Sequence, residues 1–113
     1  MIRKTCLTYL GMLPFGSILL QSTSVAQPVI ASVYFNTPLS FNACMDRTSR
    51  VLQELGFANV QRLQTAMAFT YGDYGGDVYC ITDKGIIMVV VAGPDSRTGV
   101  NHMNAITERM KAR

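Results

Sequence analysis

Residues 86–92, with the sequence IIMVVVA, are the longest uninterrupted apolar run after residue 27. Because most of them are β-branched, the run predicts a β-strand. Apolar side chains stand at both odd and even positions, so both faces of this strand need to be covered. Asp83-Lys84-Gly85, directly before the run, predicts a tight hairpin with glycine in the left-handed conformation. Gly93-Pro94-Asp95-Ser96, directly after it, ends the strand.

The region before this hairpin begins with one predicted strand and one predicted helix. Val29–Phe35 is rich in β-branched and aromatic residues and predicts the first strand. Thr37 and Pro38 suit the cap and the first position of a helix, so we expect the helix to begin there. Gly56 is a natural left-handed end for it. One face of this helix is largely apolar and carries Phe41, Cys44, Met45, Thr48, Leu52 and Leu55.

The rest of the chain predicts a β-meander closed by a helix. Residues 59–71 predict one long or bulged strand, and the glycine-rich residues 72–76 predict a flexible turn. Residues 78–83 alternate as a strand with one buried face does. A last helix is expected from about Ser96 to Lys111. Its apolar stripe consists of Val100, Met103, Ile106 and Met110.

The predicted order, βαβββα, indicates an α+β fold. We expect a two-layer sandwich in which a four-stranded, mostly antiparallel sheet carries two helices on one face. This arrangement is similar to the ferredoxin-like architecture, although the extra strand before the last helix departs from it. Two helices cover one face only, so the other face needs a second copy, a protein partner, a ligand or the N-terminal segment as its cover. Homo-oligomerisation through this open sheet face is the simplest of these.

Residues 1–26 have the pattern of a secretory signal peptide. Arg3 and Lys4 form a short basic region, Leu7–Leu20 is apolar and uncharged, and Ser24-Val25-Ala26 fits a small-x-small cleavage site before Gln27. A membrane anchor is disfavoured, because the apolar stretch is shorter than the roughly 20 residues that span a bilayer. We therefore expect export to a periplasm or the exterior, with a bacterial envelope the better fit, and no stable membrane anchor after cleavage.

Removal of this segment changes the charge of the chain. The whole sequence has ten basic and seven acidic residues. Loss of 26 of the 113 residues leaves a single small domain of 87, residues 27–113, with eight basic and seven acidic residues. A net charge of +1 without a run of like charges does not indicate a nucleic-acid partner, and the small cluster of Arg109, Lys111 and Arg113 is explained as favourable charge at a helix C-terminus.

Cysteine pairing follows from the same cleavage. Cys6 lies in the signal, so Cys44 and Cys80 remain as a pair in an exported domain of fewer than 100 residues. This situation is typical of a structural disulfide. Two inert buried thiols are the alternative, and a redox pair is disfavoured because the C-x-x-C spacing is absent.

Residues with catalytic or metal-binding chemistry are sparse. His102 is the only histidine, and no cluster of ligands indicates a metal or another cofactor. Asp73 and Asp77 lie on either side of a glycine turn, so a small hydrolase or isomerase could use His102 with one of them. An ordinary surface histidine and a solvated turn are the simpler interpretation.

Tyrosines around the same hairpin give the best indication of a binding surface. Tyr71, Tyr74 and Tyr79 flank it, and Arg62 lies on the preceding strand. Tyrosine beside arginine is typical of recognition surfaces, whereas cross-strand aromatic pairing is the structural alternative. With Asp73 and Asp77, these residues form the predicted binding set.

The function expected from the sequence is that of an exported, non-catalytic interaction or ligand-binding module held together by a disulfide. A small hydrolase or isomerase using His102, and a thiol redox protein, are the alternatives. No cofactor is expected, and no residue is assigned a catalytic role.

Cleavage before Gln27 predicts the mass of the exported protein. We expect intact-mass analysis to give residues 27–113, two hydrogen masses below the reduced form because of one disulfide. Reduction followed by thiol alkylation should add two labels. An exported protein that retains Met1, or that alkylates twice without reduction, would contradict the interpretation.

Overall fold

The computed structural model describes residues 28–112, and the predicted signal peptide lies outside them. These residues form an α+β fold with one antiparallel sheet of five strands and two helices. The elements are β1 Val29–Asn36, α1 Phe41–Glu54, β2 Ala58–Arg62, β3 Ala66–Tyr71, β4 Tyr74–Ile81, β5 Ile86–Gly93 and α2 Ser96–Lys111. A short 3-10 turn, Thr82–Lys84, joins β4 to β5.

The apolar strand predicted from residues 86–92 lies inside the sheet. The strand order is β1-β5-β4-β3-β2, and each neighbouring pair is antiparallel. Every residue of β1 has a partner in β5, from Val29 opposite Gly93 to Asn36 opposite Ile86. β1 and β2 are the two edge strands.

The expected single strand over residues 59–71 is wrong, and the sheet consequently has five strands rather than four. The chain turns between Arg62 and Ala66, where the Leu63 amide donates a hydrogen bond to the Ala66 carbonyl. Leu63 is exposed in this turn, so its even spacing from Met67 did not indicate a shared strand. The ferredoxin-like description therefore does not apply in detail.

Helix α1 begins later than predicted. The Ser40 hydroxyl accepts a hydrogen bond from the Ala43 amide and is the N-cap. Thr37 forms a local turn instead, because its hydroxyl accepts from the Leu39 amide. The predicted end is confirmed by Gly56, which has a φ of 84°. Helix α2 has the predicted bounds.

Both helices pack on the same face of the sheet. Helix α1 packs against β2, β3 and β4, and α2 packs against β1 and β5. The helices also contact each other, since Arg47 donates to the Met110 carbonyl and Arg109 pairs with Glu54. The core between the layers contains Met45, Leu52, Phe69, Val78, Ile87, Val89, Val91 and Ile106.

The predicted disulfide between Cys44 and Cys80 is confirmed. It joins α1 to β4 in the core, and the two residues are 0% and 3% exposed. Thr48, also fully buried, donates its hydroxyl hydrogen bond to the Cys44 carbonyl at 2.7 Å. The polar hydroxyl is therefore satisfied one helical turn from the sulfur atoms.

Loss of the disulfide should remove a large fraction of the free energy of unfolding of so small a domain. The two cysteines are 36 positions apart, which corresponds to about 3–4 kcal/mol in the chain-entropy model. We expect Cys44→Ala/Cys80→Ala protein to lose that much free energy of unfolding in urea titrations, with a steeper dependence on urea because the unfolded chain is less compact without the link. Reduced wild-type protein is the matched comparison. Equal stability of oxidised and reduced protein would contradict the assignment.

Candidate functional site

The face of the sheet opposite the helices is largely apolar and is called the open face here. Residues that face the helices in β5, such as Val89 and Val91, are fully buried, whereas their neighbours Met88 and Val90 are only partly buried. Through the strand pairing, the apolar residues of the open face are Ile30, Tyr34, Ala66, Ala68, Tyr79, Ile81, Ile86, Met88, Val90 and Ala92. Within residues 28–112, no helix packs on this face.

The open face runs continuously from β1 to β3. One row across the strands consists of Tyr34, Met88, Tyr79 and Ala66, each opposite the next. The next row consists of Ser32, Val90, Asp77 and Ala68. Exposure is greatest on β1, where Ile30 is 67% and Tyr34 is 69% exposed. The face that was predicted to need a cover is thus a surface of these residues, except that Ala66 at its β3 end is only 2% exposed.

Tyr79 and Asp77 form the polar pair of the open face. The Tyr79 hydroxyl donates a hydrogen bond to Asp77 Oδ2 at 3.4 Å. The negative charge of Asp77 is the main reason why the pKa of the Tyr79 phenol is raised, and partial burial and the hydrogen bond act in the same direction. The phenol is therefore held in its neutral, hydrogen-bonding form.

The glycine-rich segment that was predicted as a turn is mostly strand. Only Gly72 and Asp73 connect β3 to β4, and Gly72 has a φ of 60°. Gly76 belongs to β4, where a Cβ atom would collide with the Val90 carbonyl and the Phe69 ring. The glycine at this position thus reflects close packing inside the sheet rather than turn chemistry.

Tyr71 and Tyr74 lie on the helix side and do not belong to the open face. Their rings pack edge-on against His102 of α2, with centroid distances of 4.8 and 5.2 Å. Phe57 also packs against the imidazole. The Tyr74 hydroxyl accepts a hydrogen bond from the Asp95 amide at the start of α2. This cluster packs α2 against the β3–β4 hairpin. These contacts to α2 differ from the cross-strand aromatic pairing that was the structural alternative for these tyrosines.

Arg62 and Asp73 lie in two further places. Arg62 extends from β2 to α1, where it approaches Asp46 at 3.6 Å and Asn42 at 3.4 Å. Asp73 lies in the β3–β4 turn beside Pro94. The structure therefore brings Asp77 and Tyr79 of the predicted binding set together and separates the others from them.

The structure does not bring His102 and Asp77 together. Asp77 lies on the open face, whereas His102 packs on the helix face, so the sheet separates them. Among residues 28–112, no hydrogen bond joins His102 to a carboxylate, and no group of three potential metal ligands occurs. The same part of the chain contains no helix that is long and apolar enough to cross a membrane.

A cavity of about 290 Å³ lies between the end of β1 and the end of α2. Phe35, Leu39 and Met110 give it an apolar lining, and Arg47 and Lys111 lie at its side. The Arg47 guanidinium donates to the Met110 carbonyl, and Lys111 lies over the Phe35 ring. Both cations therefore have structural partners at the C-terminal end of α2, where positive charge is favourable.

Sequence reasoning missed Ile30, Tyr34, Met88 and Val90 as members of the candidate site. Tyr34 is the most exposed of the large apolar side chains in the described residues. The sequence of Val29–Asn36 did indicate part of this surface, because alternation along a strand places Ile30, Ser32 and Tyr34 on one face. Their place beside Met88 and Val90 depends on strand order, which was not assigned from the sequence.

Removal of the Asp77 charge should lower the pKa of Tyr79. We expect Asp77→Asn to move its phenolate absorbance titration down toward the ordinary value of about 10. Because the raised pKa means that the folded protein holds this proton more tightly than the unfolded chain, wild-type stability should fall as the pH rises past that value. Tyr79→Phe identifies the transition, and Asp73→Asn is the matched control that should leave it in place. An unchanged Tyr79 titration in Asp77→Asn protein would contradict the pairing.

Comparison with known proteins adds no relative from which a role could be transferred to these residues. No protein-family model matches the chain, and no curated protein matches it. The open face and the pair of Asp77 and Tyr79 are therefore interpreted from their own geometry and chemistry.

Proposed function

We propose that this chain is an exported, non-catalytic binding module that recognises a protein partner through the open face of its sheet. The single observation that carries the proposal is the apolar row of Tyr34, Met88 and Tyr79, on which no helix of residues 28–112 packs. Contiguous exposed apolar surface is characteristic of interaction sites in soluble proteins.

The composition of this face suits protein recognition. Tyrosine and methionine are enriched at the centres of protein interfaces, and charged residues are depleted there. Asp77 is the only charged residue among the strand residues assigned to the face, and its charge is shared with the Tyr79 hydroxyl. A partner that buries this centre would need to offer the Asp77 carboxylate a cation or hydrogen-bond donors in addition to the Tyr79 hydroxyl.

Export is part of the same proposal. The Cys44–Cys80 disulfide is compatible with an oxidising compartment, since such bonds persist outside the cytosol. The predicted signal peptide would direct the chain to such a compartment. A thiol redox role is less well supported, because both sulfur-bearing residues are buried and an external thiolate needs access to the bond.

Photo-crosslinking in the cells that produce the protein tests the binding surface. A photoreactive phenylalanine analogue placed at Tyr79 should give one adduct of defined mass, because this residue lies in the middle of the face. Introduction of Val90→Asp in the same protein should abolish it, since a buried charge without a partner is costly in an interface.

The matched control places the same analogue at Gln53, an exposed residue of α1. This position should give no adduct of that mass. Equal adducts at both positions, or an adduct that survives Val90→Asp, would contradict recognition through the open face. Cooperative urea unfolding like that of the wild-type protein shows that each variant is folded.

A further inference from the structure

The two edges of the sheet differ in their ability to accept another strand. β1 has eight residues, and each pairs with β5 in one unbroken register. β2 has five residues, and its register shifts between Ala58 and Gln61. Asn59 also has a φ of 54°, a left-handed conformation that interrupts regular pairing. Irregular edges of this kind resist pairing, whereas long regular edges invite it.

Within residues 28–112, β1 has none of the features that normally protect a sheet edge. Its sequence, VIASVYFN, contains no charge and no proline, and β5 is its neighbour on one side only. Ile30 and Tyr34 are mostly exposed along it. A long, uncharged and apolar edge strand is a template for β-pairing.

We propose that β1 pairs antiparallel with β1 of a second copy about a two-fold axis, with Ser32 opposite Ser32. This contact uses the edge of the sheet, so it is distinct from the partner binding proposed for the open face. The axis is perpendicular to the sheet and keeps both helix layers on one side. Two five-stranded sheets then become one of ten strands.

This register pairs the exposed side chains with each other. With Ser32 on the axis, Ile30 of each copy lies opposite Tyr34 of the other, on the same face. Aromatic and β-branched residues directly opposite each other are favourable cross-strand pairs. Moving the axis to Val33 would place Ile30 opposite Asn36 and Tyr34 opposite Ser32, so the Ser32 register is the better match.

Charge also favours a second copy over a charged foreign strand. A strand without ionised residues can lie against itself without like-charge repulsion, which is the usual obstacle to self-pairing at an edge. The two-fold arrangement needs one self-complementary surface only.

The position of α2 is compatible with this pairing. α2 packs on both β1 and β5, and neighbouring strands are about 4.8 Å apart. The axes of the two α2 helices would therefore lie about 10 Å apart, near the 8–10 Å typical of packed helices. One flank of α2 carries His102 and Arg109, which face the hairpin and α1. The opposite flank consists of Val100, Asn104 and Thr107, with Arg97 and Lys111 at its two ends.

Charge substitutions on the axis test the proposal in protein expressed from the full chain and purified after export. Wild-type protein should sediment as a dimer at micromolar concentration. Ser32→Lys and Ser32→Glu each place like charges opposite each other and should halve the measured mass. An equimolar mixture of the two should restore the dimer, because opposite charges then meet on the axis.

The matched control is Gln61→Lys, an exposed position on the irregular edge β2, which should leave the mass unchanged. Restoration in the mixture shows that both Ser32 variants are folded. Wild-type protein that is monomeric at every concentration, Ser32 variants that remain dimeric, or a mixture that stays monomeric would each overturn the proposal. Ser32 also lies on the open face, so the two proposals are separated in wild-type protein: a dimer without the Tyr79 adduct counts against the open face alone, and a monomer with the adduct counts against the edge alone.

Discussion

The Cys44–Cys80 disulfide joins the helix layer to the middle of the sheet, within the core of this small domain. A chain of this size buries little surface on folding and is only marginally stable without a covalent link. The bond fixes α1 over β4, and α2 is then held by its contacts to α1 and by the aromatic cluster at His102. Both helices pack on one face of the sheet, so no helix of residues 28–112 covers Met88 and Val90 on the other face.

Periodicity and local stop signals predicted much of the fold. The apolar run at residues 86–92, the end of the first helix at Gly56 and the bounds of the last helix agree with the structure. The hairpin between Arg62 and Ala66 was missed, because even spacing continued by chance across a turn without glycine or proline. The start of α1 was placed too early, because Thr37 and Ser40 are both capable caps and only tertiary context selects Ser40.

The candidate site was predictable only in part, for a reason that lies in strand geometry. Tyr74 and Tyr79 are five residues apart in β4, so they point to opposite faces of the sheet. Nearness in sequence therefore grouped tyrosines with different roles: Tyr74 anchors the start of α2, and Tyr79 belongs to the open face. The remaining residues of that face come from β1 and β5, which are 57 positions apart at their first residues, Val29 and Ile86. Neighbours brought together by strand order leave no local signal in one sequence.

The irregular strand β2 has a consequence for assembly beyond the molecule itself. A sheet with two regular edges can add strands at both sides and grow into a fibril. Here the register shift between Ala58 and Gln61 and the left-handed Asn59 interrupt one edge. Growth through the regular edge alone ends after a single addition, because each copy then has only an irregular edge left. A bulge of a few residues can thus convert an aggregation hazard into a closed, finite complex.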